Sequence, residues 1–200
     1  MGRNNSLKRR PPSREELRRY LIVCEGEVTE RRYFDELRIL EKIPIEIKFI
    51  AGATPKTLVE WAVREKRALR REKDKIYEEI WVVFDVDTHP FLAEARQQAK
   101  DNSIRVAISN PCFELWALLH FQDQSAYIQC ADVRDLCKTH MPGYDKRLPC
   151  SKLLPLYEEA LHRAQVLQKA HEANDKVGAN PSTGVFDLVR SILAQRRSYG

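Results

Sequence analysis

The sequence contains no apolar run approaching the ~20 residues of a membrane-spanning helix, and its first residues lack the hydrophobic stretch of a signal peptide. Its five cysteines are an odd number with no CxxC pair, which points to free thiols in a reducing compartment rather than a disulfide framework. A cytoplasmic protein is therefore expected. Cys130, Cys137, His140 and Cys150 have a spacing that matches no familiar zinc site, so buried or indifferent thiols are expected there. There is no histidine cluster, no internal repeat and no GxxxxGK(S/T) phosphate loop, so the chain is not a self-contained P-loop ATPase.

Charge of one sign is also scarce outside the first nineteen residues. Those carry seven basic residues (Arg3, Lys8, Arg9, Arg10, Arg14, Arg18, Arg19) against Glu15 and Glu16, which accounts for the whole net charge of +5. The remainder is neutral overall. A basic arm over residues 1–18 either holds phosphates, with Arg9 and Arg10 as nucleic-acid contacts, or serves solubility. What is plentiful is core material: 43% of the 200 residues are hydrophobic, enough for one domain plus a helical appendage. The expected division is an α/β core over 19–125 and a helical part over 126–200 packed on it.

Three segments set the fold class. Tyr20 to Cys24 and Ile80 to Phe84 are apolar without polar alternation, as in strands buried on both faces of a parallel sheet. The segment over 43–50 alternates and reads as a more exposed strand at a sheet edge, and 103–109 supplies a fourth. Between them lie amphipathic helices, over 30–41 with Thr29 as N-cap, over about 55–75, and around Phe91, Ala95 and Ala99. The result is a mostly parallel α/β sheet flanked by helices. Ser109, Asn110 and Pro111 read as the start of a buried helix through Phe121. A short helix near 132–140, an amphipathic one over 151–172 with Pro155 in its first turn, and a last one opened by Asn180, Pro181, Ser182 and Thr183 complete the chain.

Acids gather where the buried strands end. Asp85 and Asp87, at i and i+2, project to one side at the carboxyl end of a central strand, where open α/β sheets bind ligands. They either cradle a divalent metal or supply a helix N-cap and an exposed turn acid. Glu25, Glu27 and Glu30 surround Gly26 after the first strand, so Glu25 would stand beside the aspartates if those strands are neighbours. Glu114, inside an apolar run, either complements a helix N-terminus or faces the other carboxylates.

CEGEVTE after the first strand, FDVD after the third, SNPCFELWALLHF after the fourth, then GYDK and a late NPST resemble the RloB-like family of bacterial phage-defence proteins, over about residues 18–195. The resemblance implies a Toprim-type (Rossmann-like) domain, related to OLD-family nucleases, that uses a glutamate and a DxD pair to hold Mg²⁺ or Mn²⁺ for phosphodiester cleavage. By that similarity Glu25 is the motif glutamate, Asp85 and Asp87 are the DxD, Glu30 is a further metal ligand and Lys146 in GYDK is the lysine. Ser109, Asn110 and Glu114 are implied accessory residues. The implied function is a metal-dependent nuclease acting on DNA or RNA in antiviral abortive infection, with a separate ATPase as partner. The alternative is a non-catalytic nucleic-acid-binding or regulatory subunit of such an ATPase.

Two other readings have less support. DVDT resembles the haloacid-dehalogenase nucleophile motif, but that family places it after the first strand and adds a later aspartate pair absent here. A nucleotidyl transferase or primase-like role needs a nucleotide pocket with no visible motif. The oxygen-only candidate ligands favour Mg²⁺ over Zn²⁺.

Overall fold

The structure is a computed structural model that describes residues 19–69, 77–86 and 92–197. Its centre is a five-stranded sheet built from β1 (Tyr20–Cys24), β2 (Ile45–Phe49), β3 (Glu79–Asp85), β4 (Arg105–Asn110) and the two-residue β5 (Ser182–Thr183). The spatial order is β2-β1-β3-β4-β5, parallel throughout except for antiparallel β5. The expected α/β class is thus the observed one.

The continuous apolar runs follow from this topology. β1 is hydrogen-bonded on both edges and covered on both faces, so all five of its residues are buried. Side chains alternate across the sheet. Tyr20, Ile22, Cys24, Trp81 and Val83 join the core formed with α1 (Thr29–Glu41) and the helices after β4. Leu21, Val23, Ile80, Val82 and Phe84 join the opposite core under α2 (Pro55–Leu69) and α3 (Leu92–Asp101). At such fully buried positions, truncating a leucine to alanine costs about 2–5 kcal/mol.

The first core holds the larger aromatics. Tyr33, Phe34 and Phe113 make edge-on contacts with centroids 5.2–5.8 Å apart, and Trp116 donates its indole N–H to the Tyr33 hydroxyl at 2.9 Å. These contacts tie α1 to α4 (Glu114–Leu118). The remaining helices are α5 (Cys130–His140), α6 (Cys150–Leu153), α7 (Tyr157–Glu172) and α8 (Val185–Arg197). No helix among the described residues is long and apolar enough to cross a membrane.

Several local expectations are corrected. Thr29 is the first residue of α1 rather than its cap; Val28 holds that position and no side chain caps the helix. The buried helix expected from Asn110 onward starts only at Glu114 and is five residues long, since Ser109 and Asn110 are held in β4. Pro155 does not sit inside a helical first turn; it lies in a 3₁₀ turn (Leu154–Leu156) that separates α6 from α7, since proline gives no N–H to a helix interior. Ser182 and Thr183 form an edge strand on β4 instead of opening α8. The Thr183 hydroxyl still accepts the Val185 N–H at 3.2 Å, which satisfies one of the free donors of that helix's first turn. The helix from residue 55 is described as far as Leu69, and the expectation for its end lies outside the described residues.

Candidate active site

The sheet order sets the location. From β1 the chain crosses first to β2 on one side and then to β3 on the other, so the crevice at the carboxyl ends of β1 and β3 is the switch point of this sheet. Glu25 follows β1 directly and Asp85 ends β3. Both line one cavity of about 330 Å³ together with Gly26, Glu27, Thr29, Glu30, Glu114, Arg134 and Lys146. Five carboxylates, Glu25, Glu27, Glu30, Asp85 and Glu114, therefore share one space with two cations.

Glu30 is 7% exposed, in the first turn of α1. Burial raises its pKa from 4.5 to about 7, its own backbone hydrogen bond pulls the other way, and the Glu114 and Glu25 carboxylates push it further up. Gly26 makes this position possible: a Cβ there would lie 1.7 Å from Glu30 Oε2. The glycine is required for the close approach of that carboxylate. Its backbone angle lies outside the left-handed region.

Glu114 is 2% exposed and is held at a single oxygen. Arg134 Nε donates to Oε1 at 3.2 Å and the Tyr144 hydroxyl to the same atom at 3.0 Å. A carboxylate this deep needs such partners, because an uncompensated buried charge costs several kcal/mol. Burial raises the Tyr144 phenol, and Glu114 beside it raises it further, so the hydroxyl stays a donor. Two residues on, Lys146 is exposed, with φ 69, a left-handed conformation that costs a non-glycine residue about 1 kcal/mol.

Glu25, Glu30, Asp85, Glu114 and Lys146 thus line the same cavity. Asp87 lies outside the described residues, as do Arg9 and Arg10 of the arm. Ser109 and Asn110 do not line the cavity. The Ser109 hydroxyl is buried against that of Thr183 at 3.1 Å, and Asn110 Nδ2 donates to the Gly178 carbonyl at 2.9 Å, so both fasten the last strand and its loop to β4. The Ser109 carbonyl also accepts the Val86 N–H at 2.7 Å, which fixes the chain just beyond Asp85.

The two residues that hold Glu114 have little or no signature in the sequence. Tyr144 is within reach, since it stands in GYDK beside the candidate lysine. Arg134 is not, because an arginine on the polar face of a short helix carries no signal until that helix is docked. The cysteine and histidine set considered for zinc does not come together either. His140 stacks on Phe121 and its Nε2 bonds Gln122, while Cys150 lies by Tyr33.

All donors at the switch point are oxygens, in a cavity where acids outnumber bases, which fits a hard divalent cation such as Mg²⁺. A family model described as RloB-like protein matches residues 20–192. No curated protein matches. Among solved structures, a sigma-54 interaction domain protein from Enterococcus faecalis is similar at 10% identity, covering 74% of this chain and 95% of that one, with a TM-score of 0.29.

Proposed function

The chain belongs to the RloB-like protein family, and from that premise we propose that it is a metal-dependent nuclease of Toprim type, hydrolysing phosphodiester bonds of DNA or RNA in bacterial phage defence. One observation carries the reading: Glu25, Glu30, Asp85 and Glu114 converge with Lys146 on one cavity at the switch point of the sheet. A purely structural role gives no reason to collect five carboxylates, one of them with a raised pKa, on one cavity.

Glu25, Asp85 and Glu30 would hold Mg²⁺ or Mn²⁺, with Asp87 following in the sequence. Such an ion supplies Lewis-acid polarisation of a phosphoryl oxygen and lowers the pKa of water. Glu30 enters the cavity substantially protonated near neutral pH, so binding a cation displaces its proton. Lys146, exposed at the rim, neutralises charge on the phosphate or on the leaving oxygen. Arg134 and Tyr144 act on Glu114, fixing its orientation through the Oε1 hydrogen bonds. The basic arm adds sequence-independent phosphate contacts, and a separate ATPase subunit supplies the nucleotide-driven step.

The test is incubation of the full chain with Mg²⁺ or Mn²⁺ and a panel of tRNA, single-stranded DNA and duplex DNA. Cleavage is expected to vanish in EDTA and to fall on the order of 100-fold or more in Asp85→Asn and Glu25→Gln. Cleavage that persists in both variants rejects the assignment.

A further inference from the structure

Beside the carboxylate cavity, at the junction of β4 and α5, lies a second cluster of different chemistry. The Cys112 and Cys130 sulfurs and a Glu114 carboxylate oxygen all lie within 4.8 Å of one another. We propose that these three residues form a second metal site, selective for a thiophilic divalent cation such as Zn²⁺ and distinct from the oxygen-only site. The inference does not rest on nuclease activity; Glu114 is the only residue the two sites share.

Geometry and charge both favour it. Two sulfurs bound to one tetrahedral Zn²⁺ at about 2.3 Å stand ~3.8 Å apart, so sulfurs already within 4.8 Å close by about an ångström at most. Cys112 and Glu114 are buried, at 1% and 2% exposure, and Cys130 is half-buried. Two thiolates and a carboxylate carry three negative charges. One divalent cation and the Arg134 guanidinium, 3.2 Å from Glu114, return three positive ones. Glu114 Oε1 already accepts from Arg134 and Tyr144, which leaves Oε2 as the ligand atom.

Cys130 is the first residue of the 11-residue helix α5, whose positive end favours a thiolate. Burial raises both thiols, so they carry protons in the metal-free protein, and each bound cation releases two protons to solvent with no change of oxidation state. Three protein ligands leave a fourth position for water. The consequence for the fold is a clamp between α5 and the segment that leads from β4 into α4. Cys112 and Glu114 follow β4, whereas Cys130 and Arg134 belong to α5, so the cation would fasten α5, and with it one wall of the carboxylate cavity, to the sheet.

Titration of the reduced, metal-stripped full chain with Co²⁺ alone tests the site, since thiolate ligation gives Co²⁺ a near-ultraviolet charge-transfer absorption that oxygen ligands do not. The expected result is a band that saturates at one Co²⁺ per chain and disappears when Zn²⁺ is added. It should be lost in Cys112→Ser and Cys130→Ser but kept in Cys150→Ser and in Asp85→Asn, the last separating this site from the carboxylate one. Absence of the band in wild-type protein, or its survival in both cysteine variants, overturns the proposal. Should the cysteine variants fail to fold, wild-type protein decides: Zn²⁺ is expected to slow maleimide labelling of Cys130 at least tenfold, and equal labelling with and without Zn²⁺ overturns the proposal.

Discussion

Replacing Gly26 by alanine separates the stability of the fold from the competence of the cavity. The backbone at Gly26 is open to an L-residue, so the substitution reduces the freedom of the unfolded chain and stabilises by about 0.4–1 kcal/mol. The new methyl group, however, occupies space now held by Glu30. Its carboxylate oxygen must withdraw from 1.7 Å to the 3.4 Å of ordinary contact. That atom is the end of a flexible side chain, so the movement costs the fold little, but misplacing a site residue by more than an ångström costs on the order of 100-fold in function. Wild-type protein with Mg²⁺ at a hundred times Kd gains roughly 2.7 kcal/mol, or about 5–10 °C in Tm for a chain of this size. With a Kd weakened 100-fold, the same Mg²⁺ concentration gives Gly26→Ala only about 0.4 kcal/mol, near 1 °C. Paired thermal melts in EDTA and in Mg²⁺, with cleavage assayed on the same samples, measure both effects. A variant that keeps the wild-type Mg²⁺ shift and the wild-type cleavage rate would show that Glu30 is not a ligand.

Three other outcomes are expected. His120 is buried, and chiefly for that reason its pKa falls from 6.5 to about 4; the unfolded chain therefore binds the extra proton between those values, so stability is complete above pH 6.5 and declines by about 3 kcal/mol as the pH falls to 4. Arg163 and Glu159 are the charges near it, and denaturant melts of His120→Gln should lose that part of the acid dependence. Arg134→Met leaves the buried Glu114 carboxylate with only Tyr144 and should destabilise by about 2 kcal/mol, the usual penalty being discounted for the exposure of the arginine; adding Glu114→Gln should restore most of it, and an additive double variant would contradict the pairing. Deleting residues 1–13 removes Arg3, Lys8, Arg9 and Arg10 and should flatten the log-log salt dependence of nucleic-acid binding by about 0.7–0.9 for each phosphate that the arm neutralises, whereas an unchanged slope makes the arm a solubilising tail.

The sheet was legible because burial on both faces leaves a signature that survives without tertiary knowledge. Tyr20 to Cys24 and Ile80 to Phe84 have no polar residue to spare for solvent, and the alternation over 45–49 marks β2 as the edge it is. From there, acids just past two buried strands identify Glu25 and Asp85 as candidates, because parallel neighbours end on the same side. Segments without a period were less legible. Ser182 and Thr183 carry two-residue strand pairing that has no pattern to read, and NPST matches a helix start equally well. Glu114 and Arg134 lie 20 residues apart and meet only because α5 docks its Val133 and Cys137 face on the first core. No local pattern reports a docking of that kind.

The cavity is also where the chain departs most from what stability alone would select. Elsewhere two buried polar pairs are matched: Ser109 with Thr183, and His120 with the Trp116 carbonyl at 2.8 Å. Among the described residues that line the switch-point cavity, the acids Glu25, Glu27, Glu30, Asp85 and Glu114 outnumber the cations Arg134 and Lys146, and Arg134 is committed to Glu114. Burial of Glu30, with the Glu114 and Glu25 carboxylates adding to it, raises that carboxyl to a pKa of about 7. Lys146 adds a strained backbone at the rim, and Gly26 gives up its side chain so that a carboxylate can sit where a methyl group would pack. Each device costs the metal-free fold free energy, and each brings an oxygen or a cation toward the same space. A divalent cation offsets the repulsion among the acids, and a phosphate beside it gives Lys146 a partner. In the function proposed above, that charge imbalance is what a metal ion and the oxygens of a nucleic-acid backbone around it would balance.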